Sequence, residues 1–596
     1  MKKIKYITFL IVGLLVTASC TKDWLEVKPY GKIEPSTYYS TDQEIQNGVI
    51  AIYDMLSSAD QLNGWSSNFV MRNLPGDDLN AGGGGASDQA QYQAIDDFDW
   101  TPSNPGISSF WSVDYNGIYR ANQIIDNVKT TTAIANRSIA EAKFFRAYFY
   151  LELVTCFGDV PLYTTAAKGL TDFAARSPKA DVYAQIEKDL TDAIAGLPNK
   201  NDYASTDRFR ASKQAAQGLL VRANLYQEKW SAAITAFEAL EAVEGAQVGL
   251  YSNFEDITKK VTEFGIESLL EGNFIGEDKN WGTVAWNRNA NDNRHIQLCG
   301  PRSSIGGSLG INGGWGFMPP TAKLYNLIPD ADPRKIYTVL DSTDMVGFAI
   351  TEVSNLEFKA GCSSNGNVAI TLAGTTFNIP LTTAASTPEL VAAAIYAAKA
   401  TFTGYTVADP KDGAKVAFTC NYTGTHSAYS AGSTGAIGVM TTNPDCSFTD
   451  GWDTEKVIRR KYTTFASETN GTGGNTPELN FATNWRLITY REVLLNAAEA
   501  YYRAGDEGNA RDQVNKLRNR VGYTTTVATG AALLAEIKGE RLVELAYEGF
   551  RFWDLVRWGD ASTQLSTLGF VAGKHELFPI PEQEVNGGLA AQNPGY

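Results

Sequence analysis

Between Ser112 and about Leu240 the apolar positions of the chain return every three or four residues, the spacing of helices that each bury one face. Within Ile139–Phe157 the residues Ala142, Phe145, Phe149 and Leu153 stack bulk along one such face; Gly158 ends the run and Pro161 keeps it from resuming. The stretch Ala215–Leu240 predicts a helical hairpin. Gly218, Ala223 and Tyr226 share its first helix, Lys229-Trp230 makes a short turn, and Ala232, Ala233, Phe237 and Leu240 fill the second helix. The same alternation comes back near the C-terminus, where Ala497, Ala498, Ala500 and Tyr501 precede Ala504-Gly505 and a helix carrying Ala510, Val514 and Leu517.

Small and bulky residues alternating around a tight turn resemble the helix pairs of tetratricopeptide repeats. A repeat broken off at Leu240 and taken up again at Ala497 marks the chain between them as an excursion from one helical scaffold. A binding surface is expected in that excursion, because function concentrates on loops held by a rigid frame. Residues Leu270 to Pro320 are rich in Gly, Asn and Trp without a sustained period, which predicts long irregular loops. From Asn355 to Phe448 charge nearly vanishes while Thr, Ala and Gly dominate. Val368–Ile379 and Lys415–Tyr422 alternate as strands do, and Pro388–Thr401 is an alanine-rich helix, so an inserted α+β module is expected there. The predicted fold class is mainly α: a tetratricopeptide-like helix-pair scaffold with long irregular loops and a small α+β insert. The expected division is a leader over 1–19, an N-terminal part over 20–354, the insert over 355–448 and a C-terminal part over 449–596.

At the N-terminus Lys2, Lys3 and Lys5 precede an apolar run from Tyr6 to Val16, and Thr17-Ala18-Ser19 lead into Cys20, the layout of a secretion signal. The run falls short of the about 20 apolar residues a spanning helix needs, so cleavage is expected rather than retention. The sequence around Cys20 resembles a bacterial lipobox, with Thr17 where Leu is usual, and implies lipidation of Cys20 and anchoring by several acyl chains; ordinary cleavage with Cys20 as a bystander is the alternative. The chain has 66 Asp and Glu against 51 Lys and Arg, so the basic footprint of a nucleic-acid binder is missing. With 12 Trp, 28 Tyr and 27 Phe, it carries an aromatic excess that asks for a use beyond the core. Its cysteines lie far apart with no C-x-x-C pair, which argues against zinc and against a disulfide framework. Cys362, Cys420 and Cys446 cluster in one segment, where one local bridge is open to them.

Several blocks follow one another in a specific order. Trp24-Leu25-Glu26-Val27 comes after the cysteine, and a helix over Thr41–Leu56 ends near Ile52-Tyr53-Asp54. Tyr119-Arg120-Ala121-Asn122 lies within Phe110–Val128, and Ala142-Lys143-Phe144-Phe145-Arg146-Ala147 leads to Phe157-Gly158-Asp159-Val160-Pro161. Downstream stand Tyr490-Arg491, Ala498-Glu499-Ala500, the unbroken block from Gly539 to Gly559, and Leu577-Phe578-Pro579-Ile580-Pro581. In these blocks the chain resembles the SusD/RagB family of Bacteroidetes outer-membrane nutrient-binding lipoproteins, over nearly all of its mature length except the insert. The resemblance implies a lipid-anchored protein at the surface of the outer membrane that caps a SusC-like TonB-dependent transporter. It implies capture of an oligomeric nutrient, usually an oligosaccharide, with no catalytic activity and no cofactor. It also implies four helix pairs facing the transporter and irregular ligand loops opposite them. Oligopeptide capture of the RagB kind, and an assembly or adhesion role for the insert, are the alternatives; the insert as a mere spacer is another.

Read physically, the block from Gly539 to Gly559 is structural. Leu542, Ala546, Phe550 and Trp553 make an apolar stripe, and Glu540, Arg541, Glu544 and Arg551 are placed to pair across helix turns. Phe578-Pro579-Ile580-Pro581 lacks the donors of a helix or central strand and is expected as extended chain packed on the helices.

Sugars present flat, weakly apolar faces ringed by hydroxyls, so their sites combine aromatic rings with amides, carboxylates or guanidinium groups. Two loop regions carry that mixture. Gln61–Trp100 holds Trp65, Asp77, Asp78, Tyr92 and the Gly82–Gly85 run; Asn280–Trp315 holds Trp281, Trp286, Arg288, Asn289, Arg294 and Trp315. Any one of these tryptophans is as readily a plug in the surface of the helical core. Trp281 and Trp286 lead, because Asn280, Asn287, Arg288 and Asn289 around them suit an exposed platform; Trp100 and Trp111 are assigned to packing. The ligand set is therefore Trp65, Asp78, Tyr92, Trp281, Trp286, Arg288, Asn289 and Trp315, with no metal. Gly306-Gly307-Ser308-Leu309-Gly310 matches the G-x-S-x-G pattern of hydrolases. Its flanks Gly300-Pro301-Arg302 and Gly313-Gly314 read as loop, however, and only His295, His426 and His575 are there to act as base. No H-E-x-x-H or phosphate-binding loop occurs, and Asp97 and Asp99 alternate without an oxygen-rich loop for calcium.

Overall fold

The computed structural model describes residues 38–57, 68–167, 169, 173–276, 293–302 and 311–341. In the inserted region it describes 353–358, 365–372, 375–382, 384–403, 405–411, 413–420 and 438–441, and beyond it 455, 457–469, 480–588 and 590–596. The helices that build the scaffold are α1 (Asp42–Ser57), α2 (Asn68–Asn73), α3 (Ala90–Asp96), α4 (Pro105–Asn127), α5 (Ala133–Phe157), α6 (Lys179–Gly196), α7 (Lys213–Tyr226) and α8 (Trp230–Glu241). They resume with α9 (Tyr490–Arg503), α10 (Glu507–Arg520), α11 (Gly530–Glu544) and α12 (Arg551–Trp558). α1 packs on α4, α5 on α6, α7 on α8 and α9 on α10; α4 packs on α5, α6 on α7 and α8 on α9, so the pairs form one tetratricopeptide-like succession. The contact between α8 and α9 closes over the whole excursion.

Local chemistry sets where these helices begin. Asn104 accepts from the amides of Gly106 and Ile107 ahead of a proline at the first helical position, and Thr132, Ser212 and Thr489 cap α5, α7 and α9 in the same way. Gly218 on α7 faces Leu269, where a Cβ would come within 2.9 Å of a methyl carbon. α5 is buried nearly all round, with Phe144, Phe145 and Leu153 fully inside. Phe578 and Ile580 are also fully buried, and the Phe578 amide donates to the Cys156 carbonyl at 2.8 Å, so the proline-spaced segment packs as extended chain on the end of α5.

The block from Gly539 to Gly559 departs from its sequence reading in two ways. α11 stops at Glu544, the chain turns through Tyr547 (φ 64°) and Gly549 (φ 76°), and α12 starts afresh. The apolar stripe is buried, but it runs over two helices and the turn between them. Its charges do not pair along one helix either. Glu540 and Glu544 hold Arg334 at 2.6 and 2.8 Å, Arg541 pairs with Asp554 at 2.7 Å, and Arg551 reaches Asp77 at 2.7 Å. These positions face inward, so their partners come from other parts of the chain.

The strands of the excursion are β1 (Ser268–Gly272), β2 (Val339–Asp341), β3 (Val353–Phe358), β4 (Gly366–Leu372), β5 (Thr375–Leu381), β6 (Tyr405–Val407), β7 (Lys415–Cys420), β8 (Gly438–Thr441), β9 (Val457–Arg459) and β10 (Trp485–Thr489). Antiparallel pairing of β1 with β10 and of β2 with β9 ties the excursion at two nested rungs. β1 and a short helix at Arg294–Cys299 add regular structure to a stretch expected to be irregular. Between the rungs, β8-β3-β7-β6 form a sheet, β4 and β5 a hairpin, and Pro388–Ala397 a helix. These elements bury a hydrophobic cluster of their own around Phe358, Ile370, Val391, Ile395 and Phe418, separate from the scaffold core. Among the described residues no helix is long and apolar enough to cross a membrane.

Candidate functional site

The two loop regions rich in candidates meet in one wall. Residues 79–83 run beside 316–320: Leu79 bridges Pro320, Gly82 bridges Phe317, and the amides of Asn80, Gly83 and Met318 donate to Pro319, Gly316 and Ala81 at 2.9, 2.8 and 3.0 Å. On the other side 314–317 lie against 297–301, with Trp315, Gly316 and Phe317 donating to Gln297, Gly300 and Leu298 at 3.0, 2.8 and 2.8 Å. A third segment joins through the Asn312 amide, which donates to Thr464 at 2.6 Å. Glycine permits this spacing. A Cβ on Gly82 (φ 65°) would sit 2.3 Å from the Gly316 carbonyl oxygen, and one on Gly314 would sit 2.3 Å from the Gly300 Cα.

Arg302 is exposed on this wall, 3.8 Å from Asp88, and Asp88 accepts from the Gly84 amide at 2.8 Å. An exposed guanidinium and a half-buried carboxylate thus stand together at the surface of this wall, and Trp315, in the strip that carries Gly316, is half-buried. Neither Arg302 nor Asp88 belonged to the sequence-derived set; a charged residue set among glycines was their only signal.

Of that set, Trp315 is the described member with surface to offer. Tyr92 is fully buried with its ring edge-on to Phe317 at 5.6 Å, and Asp78 is 3% exposed, so the structure corrects both to interior positions. Their segment carries the loop wall, but their side chains point into its foundation. Asp77, also buried, is held by Lys323 and Arg551. Trp100 and Trp111 are buried, as their assignment to packing expects. Trp65, Trp281, Trp286, Arg288 and Asn289 lie outside the described residues, as do Cys20, His426, Cys362, Cys446 and the G-x-S-x-G segment. The chain nevertheless leaves for residues 277–292 and comes back at one place. The Phe274 amide donates to the Asn484 side chain at 2.8 Å, and the Asn293 amide donates to the Phe481 carbonyl at 2.8 Å. Asn293 then caps the helix Arg294–Cys299 that lines the wall.

Two histidines are described and neither is open for proton transfer. His295 is buried against the contacting rings of Trp485 and Phe69, at 4.9 and 5.9 Å between ring centres. His575 accepts the Val571 amide on Nδ1, and burial pulls its pKa down to about 4. Among the described residues no group of three His, Cys, Asp or Glu is placed to hold a metal.

Burial, with the charge of Asp77 behind it and Arg551 opposing, pushes the Asp78 carboxyl up from 3.8 to about 7. Between those two values the folded chain keeps a proton that the unfolded chain has released, so this group makes stability fall as pH rises through the window. Asp78→Asn is expected to raise the melting temperature at pH 8 and to leave it nearly unchanged at pH 4, with ligand affinity unaltered. Thermal unfolding at the two pH values checks it, and an equal shift at both would remove the titration from the explanation.

A model of the SusD family matches residues 284–569, and one described as "Starch-binding associating with outer membrane" matches residues 23–225. The chain is 24% identical over 380 residues to SusD-like protein P25 of Formosa agariphila, covering 56% of this chain and 68% of that one. It is 26% identical to a SusD-like protein of Bacteroides ovatus over 43% of this chain, spanning about half (47%) of that relative's length. Among solved structures, a laminarin binding SusD-like protein superposes with a TM-score of 0.68 at 26% identity, covering 93% of this chain and 99% of that one. Surface glycan-binding protein A from Bacteroides thetaiotaomicron, in complex with laminarihexaose, superposes with a TM-score of 0.66 at 22% identity, covering 93% and 100%. Helix-pair scaffold, loop wall and family models define a SusD-like protein. The chain belongs to the SusD family.

Proposed function

We propose that this protein is a lipid-anchored receptor on the outer surface of the cell. It captures an oligosaccharide on the loop wall and hands it to a SusC-like TonB-dependent transporter, catalysing nothing itself. The convergence of the two aromatic-rich loop regions on one wall, with Arg302 and Asp88 paired at its surface and Trp315 half-buried in one of its strips, carries this reading. Aromatic rings, a guanidinium and a carboxylate carried by one wall suit the flat faces and hydroxyls of a sugar. The names of two structural relatives, one laminarin binding and one solved with laminarihexaose, support the same ligand class. Trp281 and Trp286 belong to this site in our reading because their segment is pinned at both ends beside the wall. The leader and Cys20 supply export and the anchor.

A glycan array followed by calorimetry on the soluble mature chain tests the reading. One oligosaccharide class is expected to bind, and Trp281→Ala, Trp286→Ala and Arg302→Ala are each expected to weaken it about tenfold or more, which is about 1.4 kcal/mol per tenfold. Silence across the array, with peptide mixtures binding instead, would replace the sugar with an oligopeptide.

A further inference from the structure

A second cleft, about 400 Å³ in volume, runs along α4 and shares no residue with the loop wall. α4 sets Trp111, Tyr115 and Tyr119 four residues apart on one face, and Tyr163 and Phe173 close the opposite side. The inner rings pack into a fixed floor: Trp111 and Tyr115 lie 4.8 Å apart, and Tyr115 and Tyr163 meet edge to face at 5.9 Å. The outer rings stay open, Tyr119 at 46% and Phe173 at 59% exposed. Ser112 and Asn116 are exposed on the same face, and half-buried Glu584 takes the indole N–H of Trp111.

The wall opposite α4 is held before any ligand arrives. Tyr115 Oη donates to the Pro161 carbonyl at 2.8 Å, and Asn122 Nδ2 donates to the carbonyls of Tyr163 and Thr165 at 3.0 and 3.1 Å. Arg146 donates to the Thr164 carbonyl at 2.8 Å, and the Ala166 amide donates to Asp126 at 2.7 Å. The carbonyls of Pro161 and of residues 163–165, and the Ala166 amide, are therefore already used.

We propose that this cleft is a second binding site of the protein, for a neutral oligosaccharide. Its volume falls within the roughly 300–1,000 Å³ of small-ligand sites. Open rings beside a hydroxyl, an amide and a carboxylate match the alternating apolar faces and hydroxyls of a sugar chain. A peptide joining as an added strand would compete for the carbonyls of residues 163–165 and the Ala166 amide, which side chains already hold. An anionic ligand would meet Glu584 on a chain of net charge −15. The site stands apart from the loop wall, and either can fail without the other.

Hydrogen exchange read by mass spectrometry on the purified full chain tests it, with millimolar gluco-, xylo- and manno-hexaoses as probes and a proline-rich decapeptide as the contrasting one. One of the sugars is expected to protect peptides covering 109–120 and 161–175. In Tyr119→Ala/Phe173→Ala that protection is expected to need about tenfold more sugar, while protection over 79–89 and 311–320 is unchanged. In Trp281→Ala/Trp286→Ala the reverse is expected. Sugar protection confined to the loop wall, no protection by any of the sugars at the cleft, or protection there by the decapeptide alone would overturn the second site.

Discussion

Replacing Arg334 with alanine is expected to lower the free energy of unfolding by about 3–5 kcal/mol, the usual consequence of removing one partner from a buried charge cluster. Arg334 is fully buried and spends its whole guanidinium on carboxylates. Nε and Nη2 reach Asp332 at 2.9 and 2.6 Å, and Nη1 reaches Glu540 at 2.6 Å and Glu544 at 2.8 Å. Without it, Glu540 keeps Arg518 and Glu544 keeps Arg520, but Asp332 loses the cation that holds it. Burial raises the pKa of Glu544, and Arg520 and Arg334 together outweigh it, holding the group down from 4.5 to about 2. A carboxyl depressed in this way stabilises the fold above its unfolded value and loses that contribution as pH falls from 4.5 towards 2. Without Arg334 the group is depressed less, so the variant is expected to lose less stability than the wild type between pH 7 and pH 4. Urea unfolding at pH 7 and pH 4 measures both effects. Arg334 also precedes β2, the strand that with β9 closes the neck of the insert, so hydrogen exchange over 335–341 and 457–461 is expected to quicken more than over α5 to α8. A loss below about 1 kcal/mol would mean that water reaches the cluster and screens it.

The helix pairs were legible because their signal is local. Periodicity of apolar residues, cap residues such as Asn104 and Ser212, and small residues such as Gly218 all act within a turn or two of themselves. The insert was legible for a similar reason, since loss of charge and strand-like alternation are written in consecutive residues. The break between α11 and α12 was not. Leu545 to Tyr547 are ordinary helix residues, and only the tertiary fit places Tyr547 at positive φ. Nor could spacing reveal that Glu540 and Glu544 turn towards Arg334, some 200 positions earlier in the chain (206 and 210 residues), rather than towards a neighbour four residues away. At the site, the glycine-rich composition predicted loops, but not that Gly82 and Gly314 would let their backbones approach closely enough to build one wall. Which side a loop residue faces is set by contacts from elsewhere: Tyr92 turned inward onto Phe317, Asp78 sank beside the Asp77 pairs with Arg551 and Lys323, and Arg302 was left in the open.

Trp100→Ala is expected to cost about 3–5 kcal/mol of stability while the protein that remains folded binds its ligand as before. The indole is 1% exposed and lies among Phe98, His575 and Phe578 at 5.2, 5.2 and 5.1 Å between ring centres, the last two edge to face. Its Nε1–H donates to the Tyr596 hydroxyl, which in turn donates to the Leu577 carbonyl at 3.0 Å. This one side chain therefore joins the segment after α3 to both ends of the C-terminal stretch, 577–580 and 596. Alanine would leave a cavity the size of an indole between elements fixed by other contacts, so the gap has little means to close, and each lost ring pair removes about 0.5–1.5 kcal/mol beyond its buried area. Trp281→Ala and Trp286→Ala are expected to do the opposite, costing affinity and little stability. Urea unfolding and calorimetry on the three variants separate the roles, because a packing ring moves the first readout and a platform ring the second. Loss of binding in Trp100→Ala at full stability would place that indole in the ligand site and dissolve the division between the two kinds of tryptophan.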